Sequence, residues 1–236
     1  MNESFPDAPK PDVPKPDVPR PDAPSDSKLT RTKQRWAQEG KFLTGHPARH
    51  GTDRLPPGQH LTQDWPVLDL GLHPAVPLDR WTLQVFGAVE APVTLDWPAL
   101  QALPQTRMVS DIHCVTTWSR YDNQWDGVPV QALLDLVQPH PGAHHVLLHC
   151  HDGYTTNLDL QDFASPAAIL AHSWSGAPLT PEHGAPLRLV LPHLYFWKSP
   201  KWLSRIEVRT ADRPGYWETR GYHNRGDPWA EERYSA

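Results

Sequence analysis

The sequence predicts an α+β fold in which mixed β-sheets and short helices form one domain. Segments with strand-like patterns outnumber those with helical patterns, and they do not alternate as they would in a parallel βαβ protein. The chain of 236 residues is long enough for one large domain, or for one domain with an appendage. We therefore expect a single folded body with a substantial core.

The N-terminal tract differs from the rest of the chain in its proline content. Residues 7–26 read DAPKPDVPKPDVPRPDAPSD, an imperfect repeat of PD(A/V)P(K/R). Because proline fixes φ and lacks a backbone N–H, we expect an extended, disordered arm that is solvated or, alternatively, docks a partner. We assign residues 1–27 to this Pro-rich tail, 28–54 to a polar lead-in segment and 55–236 to the folded domain.

Apolar spacing and capping residues predict the regular elements of the domain. Period-two apolar spacing, as in WTLQVF, indicates strands, and spacing at i, i+3, i+4 and i+7 indicates an amphipathic helix from Val130 to Val137. Asp96 is expected to cap a helix that Pro104 closes. The aromatic residues after Asp212 predict an ordered loop that wraps the domain. The predicted strands are 81–86, 106–114, 145–150, 168–174, 187–191 and 205–210, and the predicted helices are 96–103, 130–137 and 199–203.

Composition excludes several classes of protein. A formal net charge of −5 argues against a nucleic-acid binder, because such proteins bind through clustered positive charge. Two cysteines cannot form a disulfide framework, and no segment approaches the roughly 20 apolar residues of a membrane-spanning helix. The N-terminus has neither an apolar signal region nor a twin-arginine pair, so we expect a cytoplasmic protein.

Two segments bring cysteine and histidine together: DIHCVTTWS (111–119) and HCHDGYTTN (149–157). Cys114 lies where a predicted strand enters a loop, so its thiolate could act in a cleft as a nucleophile or as a soft metal ligand. Cys150 lies inside an apolar strand and is expected to be a small buried hydrophobe. Adjacent strand residues point to opposite faces, so not all of the neighbouring histidines can converge on Cys114. Those histidines are His113, His149 and His151.

A basic cluster lies in PEHGAPLRLVLPHLYFWKSPKW (181–202). Arg188 lies between two leucines of a predicted strand and should face away from them. Its planar guanidinium suits phosphate or carboxylate, so an anionic ligand and an ion pair with an acidic side chain both remain possible.

Eight segments, taken in order, resemble one known family. They are LPPGQHLT, DWPVLDLG, DIHCVTTWS, WDGVPVQALL, HCHDGYTTNLDL, PLTPEHGAPLRLVLP, KSPKWL and RPGYWETRGYHNRGDPW. Their order and spacing are similar to those of the molybdopterin-dependent domain of the sulfite oxidase superfamily. The similarity lies within the bacterial single-domain branch that includes the catalytic subunit of the periplasmic methionine sulfoxide reductase system. The resemblance extends from Leu55 to Tyr234 and leaves out the Pro-rich tail.

This resemblance implies a sulfite-oxidase-type fold with one molybdenum–molybdopterin cofactor per chain. It places Cys114 as the thiolate ligand of molybdenum. Asp69 stands where relatives usually have asparagine or histidine, and Phe196 stands where glycine is common. The residues that it places at the pterin and its phosphate are Asp69, Cys150, His183, Arg188, Phe196, Trp197 and Lys198.

The implied activity is oxygen-atom transfer on a small or protein-bound S- or N-oxide. We expect reduction of such a substrate rather than sulfite oxidation, because sulfite oxidation in the family uses a denser arginine cluster. Arg120 is the candidate catalytic anion-binding group, or else a surface charge. No haem domain or flavin domain is evident in the chain, so we expect a separate electron donor or acceptor protein, or a small carrier.

Two further hypotheses follow from the same residues. One is a zinc- or thiol-dependent hydrolase that uses Cys114 with a nearby histidine. The other is a non-enzymatic interaction protein that works through its Pro-rich arm.

Overall fold

The computed structural model describes residues 31–32, 34–35 and 54–235. The first four of these are helical. The predicted tail, residues 1–27, lies outside the described residues, as does most of the predicted lead-in segment, residues 28–54. In the part of the chain that is described, no helix is long and apolar enough to span a membrane.

Regular structure in the domain consists of strands joined by short helices and turns. The strands are β1 (His60–Leu61), β2 (Thr82–Gly87), β3 (Val93–Asp96), β4 (Thr106–His113), β5 (Trp118–Pro129), β6 (His145–Cys150), β7 (Thr155–Asp159), β8 (Ile169–Trp174), β9 (Ala177–Pro178), β10 (Arg188–Val190) and β11 (Leu203–Arg209). The α-helices are α1 (Trp97–Ala102), α2 (Val130–Val137) and α3 (Leu160–Phe163), and 3-10 turns span Pro181–His183, Phe196–Lys198 and Glu218–Arg220.

The strands form two mixed sheets. The six-stranded sheet has the order β1-β5-β8-β10, with β4 paired to β5 and β9 paired to β8. The five-stranded sheet has the order β3-β2-β11-β6-β7. The pairs β1/β5 and β2/β11 are parallel, and the other pairs are antiparallel. The predicted α+β class with mixed sheets and short helices is confirmed.

Strand β10 lies between two apolar clusters. Leu187 and Leu189 are fully buried in the larger cluster, which also holds α2. Val190 belongs to a second cluster, rich in aromatic rings, that contains Cys114. Because side chains alternate along a strand, Arg188 faces the same way as Val190, and the prediction that it turns away from its leucine neighbours is confirmed.

Several local predictions are also confirmed. The carboxylate of Asp96 accepts a hydrogen bond of 2.8 Å from the backbone N–H of Ala99, which caps α1. The amphipathic helix occupies residues 130–137 as predicted. The C-terminal segment packs on the domain through buried Tyr216, Trp217 and Tyr222, whereas Trp229 remains 44% exposed.

The structure corrects two predictions. The predicted helix over 199–203 is wrong: the 3-10 turn lies earlier, at Phe196–Lys198, and Leu203 already begins β11. The long strand β5 was not predicted, because buried Asn123 interrupts its apolar pattern. The Asn123 amide donates hydrogen bonds to the carbonyls of Arg120 and Ser110, so this buried polar side chain is satisfied.

Candidate active site

A single open cavity collects most of the predicted site residues. The space between its walls amounts to about 860 Å³, including the part at the mouth that is open to solvent. Its walls come from segments that are far apart in sequence, which the two sheets and their connecting loops bring together. The lining residues lie in segments 65–70, 114–118, 152–154, 182–188 and 196–202, with Trp217 and Tyr222 from the C-terminal segment.

Cys114 occupies the first position after β4, in the tight turn that leads to β5. The turn is closed by two backbone hydrogen bonds: Cys114 N–H donates to the Trp118 carbonyl at 2.8 Å, and Thr117 N–H donates to the Cys114 carbonyl at 3.0 Å. The thiol lines the cavity, and its Sγ lies 3.1 Å from Thr116 Oγ1. The predicted placement of Cys114 at a loop that enters a cleft is confirmed.

Aromatic rings wall the part of the cavity that holds Cys114. Trp197 meets Tyr222 edge-on with ring centroids 5.1 Å apart, and Trp217 stacks on Tyr222 at 4.9 Å. These rings belong to the same apolar cluster as Cys114, or pack against it. The surroundings of the thiol are therefore largely apolar.

Arg188 supplies a buried positive charge to another part of the cavity. Its guanidinium donates to the carbonyls of His183 at 2.9 Å and Ser199 at 2.8 Å. Burial lowers the pKa of Arg188 to about 9. Within residues 54–235 no carboxylate lies within ion-pair distance of the Arg188 guanidinium. The described residues therefore do not contain the ion pair that the sequence left open as an alternative. The charge remains available for an anion.

Lys201 lies in the same basic part of the cavity. Its ammonium donates to the Glu182 carbonyl at 2.8 Å and lies 3.2 Å from the carboxylate of Asp69. Burial, together with the charge of Arg188, lowers the pKa of Lys201 to about 8. Burial pushes the pKa of Asp69 upward, but hydrogen bonds from Gly71 and other partners, together with the charge of Lys201, outweigh it and lower that pKa.

His183 and Asp152 complete this part of the lining. The His183 ring stacks on Trp65 with centroids 3.8 Å apart, and burial lowers the pKa of the imidazole. Burial raises the pKa of the Asp152 carboxyl to about 6. Sequence reasoning missed Asp152 and Trp65, because nothing in the local pattern shows that their loops line the same cavity as Arg188.

Six of the predicted site residues meet in the cavity, and three do not line it. The six are Asp69, Cys114, His183, Arg188, Phe196 and Trp197. Arg120 donates instead to the Gln63 carbonyl at 3.1 Å and lies over the Trp174 ring. Cys150 is buried in β6, and burial raises the pKa of its thiol well above the usual range.

Lys198 is the third predicted residue outside the lining. Its ammonium is fully buried, 2.7 Å from the carboxylate of Glu218, and it also donates to the Asn157 carbonyl at 2.8 Å. Burial lowers the pKa of Lys198, while the charge of Glu218 acts in the opposite direction. The position of this ion pair gives Lys198 a structural role in joining β7 to the C-terminal segment.

The structure gives no support to a zinc- or thiol-dependent hydrolase. His113 Nδ1 lies 2.8 Å from Ser119 Oγ, and burial lowers the pKa of this imidazole to about 4. His149 Nε2 lies 3.3 Å from Glu207, in the other sheet. Neither they nor His151 are among the described residues that line the cavity, and no group of three His, Cys, Asp or Glu within 54–235 is arranged to hold a metal ion.

Comparison with known proteins gives one family and several relatives. Residues 71–217 match the family model described as the oxidoreductase molybdopterin binding domain. The chain is 46% identical over 183 residues to the uncharacterized oxidoreductase YuiH of Bacillus subtilis, a match that covers 77% of this chain and 92% of that protein. It is 29% identical over 202 residues to MsrP of Gluconobacter oxydans, a protein-methionine-sulfoxide reductase catalytic subunit. That match covers 74% of this chain and 64% of the relative, which is just under two thirds of its length.

A solved structure shares the fold. The crystal structure of the sulfane dehydrogenase SoxCD from Paracoccus pantotrophus matches with a TM-score of 0.54 and 19% sequence identity. The match covers 59% of this chain and 40% of that chain. At this level of identity, the likeness concerns the fold.

Proposed function

This chain belongs to the family of oxidoreductase molybdopterin binding domains, the sulfite oxidase family, and from that premise we propose that it reduces S- or N-oxides. It is a molybdopterin-dependent oxidoreductase. The substrate class, the protein ligand of the metal and the stoichiometry of one cofactor per chain are parts of the proposal.

The observation that carries the proposal is the pairing of two features in one cavity. Cys114 offers a thiol in an apolar setting, and Arg188 offers a buried cation that the described residues do not neutralise. A molybdenum–molybdopterin cofactor can use both, because its metal can take a thiolate ligand and its pterin carries an anionic phosphate group. The residues present therefore fit this cofactor.

In the proposed function, each of the predicted residues that line the cavity has a task. Cys114 would hold molybdenum as a thiolate, and Arg188 would hold the phosphate together with Lys201. Asp69, His183, Phe196 and Trp197 would contact the pterin from the remaining walls. When bound, the cofactor supplies two-electron oxygen-atom transfer; the protein binds it, orients it and excludes water.

The charge distribution favours an uncharged substrate. Arg188 is the single arginine among the described lining residues, and Arg120 points elsewhere. Sulfite is anionic at neutral pH, and moving it into the aromatic part of the cavity without a nearby cation would be costly. A neutral S- or N-oxide has no such cost, which supports reduction over sulfite oxidation.

We further propose that the enzyme is cytoplasmic and exchanges electrons with a separate donor protein or small carrier. The substrate is a small or protein-bound oxide. The reductase named among the relatives supports a sulfoxide substrate.

Metal analysis and paired assays test the proposal. The full chain is produced in a host that makes the molybdenum cofactor, and molybdenum, zinc and phosphate are measured per chain. We expect about one molybdenum and no stoichiometric zinc, with oxidation of reduced viologen by methionine sulfoxide or trimethylamine N-oxide. Protein without molybdenum, or one that oxidises sulfite with ferricyanide and leaves the oxides untouched, would contradict it.

A further inference from the structure

The turn that carries Cys114 is fixed by an arginine from the C-terminal segment. Arg233 donates one hydrogen bond to the Val115 carbonyl at 2.8 Å and another to the Pro57 carbonyl at 3.3 Å. The residue is only 7% exposed, and its guanidinium lies 4.9 Å from the centre of the Tyr195 ring. One side chain thus ties the Cys114 turn to a loop from the start of the domain.

Gln59 holds the same turn from the other side. Its amide donates to the Cys114 carbonyl at 3.1 Å, and its oxygen accepts from Ser119 Oγ at 3.3 Å. Gln59 is buried, with only 2% of its surface exposed. The backbone N–H of His60 adds a bond of 2.8 Å to the Thr117 carbonyl. The carbonyls of residues 114, 115 and 117 all accept hydrogen bonds from outside the turn.

The turn needs this support because of its backbone conformation. Thr117 has φ of 76°, in the left-handed region. A β-branched residue rarely adopts this region, and such conformations persist only where surrounding contacts hold them. Without those contacts the turn would relax and the thiol would move.

We propose that Arg233 is a positioning residue for the Cys114 thiol, acting through the backbone of Val115, with Gln59 as its counterpart. The inference rests on the proposed function, in which Cys114 binds the metal. A planar guanidinium reaches two carbonyls at once while it lies over a ring, which an ammonium group cannot reproduce. Residues that orient a metal ligand commonly change metal affinity or activity 10- to 100-fold when they are replaced.

The first test compares Arg233→Met and Arg233→Lys in the full-chain holoenzyme. Arg225→Met is the matched control, because Arg225 lies in the same segment and pairs with Asp162 at the surface. For Arg233→Met we expect a shifted thiolate-to-metal absorption and a kcat about 10- to 100-fold lower, with KM changed less than twofold. Arg233→Lys should recover part of the loss, and the control should match wild type. An unchanged spectrum and kcat, with only a lower melting temperature, would overturn the proposal.

A second test stays informative if Arg233→Met does not fold or if the metal is absent. Gln59→Ala removes the bond to the Cys114 carbonyl and leaves Arg233 in place. In cofactor-free full chain, alkylation of Cys114 by iodoacetamide is followed by peptide mass spectrometry. We expect its rate to change at least threefold in Gln59→Ala and Arg233→Lys, but not in Arg225→Met. Equal rates in all variants would refute the positioning role, whereas a wild type without molybdenum would refute only the proposed function.

Discussion

The guanidinium carbon of Arg188 lies 4.3 Å from the centre of the Phe196 ring. An aromatic face therefore covers this buried cation where an ion pair would usually supply a carboxylate. The contact also gives a role to Phe196, which stands at a position where glycine is common in the family. The ring shields the cation from water on that face.

Arg188→Ala should weaken cofactor binding by about 10- to 100-fold and thereby lower the fraction of chains that carry the cofactor. The variant removes charge-assisted hydrogen bonds to the phosphate, each contributing roughly 1.5–3 kcal/mol. Arg188→Lys should recover only part, because an ammonium lacks the planar fork. Molybdenum and phosphate per chain are measured after identical purification, with Arg107→Ala as a control, since Arg107 forms an exposed pair with Asp126. Full occupancy in Arg188→Ala would mean that the phosphate binds elsewhere.

Cys114→Ser should abolish turnover and remove the thiolate-to-metal absorption, while pterin remains bound through the basic part of the cavity. Cys150→Ser should cause a smaller loss, because that thiol is buried in β6 and does not line the cavity. Both variants are compared by absorption spectroscopy and viologen oxidation. Wild-type turnover and spectrum in Cys114→Ser would exclude this cysteine as the metal ligand.

Lys198→Met should lower the free energy of unfolding by about 3–5 kcal/mol, because it leaves the buried Glu218 carboxylate without its partner. The double variant Lys198→Met/Glu218→Gln should regain much of that loss. Chemical denaturation of cofactor-free protein measures both values. If Lys198→Met keeps wild-type stability and loses only the cofactor, the lysine serves the cofactor and the structural assignment is wrong.

Asp152→Asn should stabilise the cofactor-free protein above about pH 6. Burial raises the pKa of Asp152 from 3.8 to about 6, so the folded state binds this proton more tightly than the unfolded chain does. The contribution of this proton to the free energy of unfolding is fully present below about pH 4 and is lost as the pH rises to 6. At pH 7.5 the variant should exceed wild type by up to about 3 kcal/mol, with no difference at pH 3.5. Denaturation curves of wild type and Asp152→Asn across this pH range measure the difference in unfolding free energy. If that difference is the same at every pH, titration of Asp152 is not its cause.

Removing residues 1–26 should leave the fold, the cofactor content and the turnover with an artificial electron donor unchanged. This prediction comes from the sequence, since a tract so rich in proline and charge buries little apolar surface. The melting temperature and the molybdenum content of the shortened and full chains are compared. A fall of several degrees would show that the tract packs on the domain.

The spacing of apolar residues predicted the helices and strands that have one apolar face. Helix α2 followed from helical spacing, and the orientation of Arg188 in β10, away from Leu187 and Leu189, followed from alternating spacing. Strand β5 did not, because Asn123 is buried through hydrogen bonds and no apolar pattern records such bonds.

The sequence and the family resemblance pointed to six residues that line the cavity, but they did not show how the segments around it assemble. Cys114 stood out because a strand ends there, but the fact that it lines one cavity with Asp152 and Trp65 depends on how distant loops pack. Lys198 was assigned to the cofactor because the family resemblance places it at the pterin and its phosphate. Its carboxylate partner, Glu218, lies 20 residues further along the chain, and only the folded structure brings the two together.

The bond between Arg233 and Val115 also sets an order of events during protein synthesis. The two residues are 118 positions apart, and Arg233 is made long after the Cys114 turn has left the ribosome. Until then, the strained turn lacks one of its supports. On the proposed function, in which Cys114 holds the metal, the thiol is fully supported only after the C-terminal segment has left the ribosome and packed on the turn. A chain that stops before Arg233 should therefore bind the cofactor less tightly.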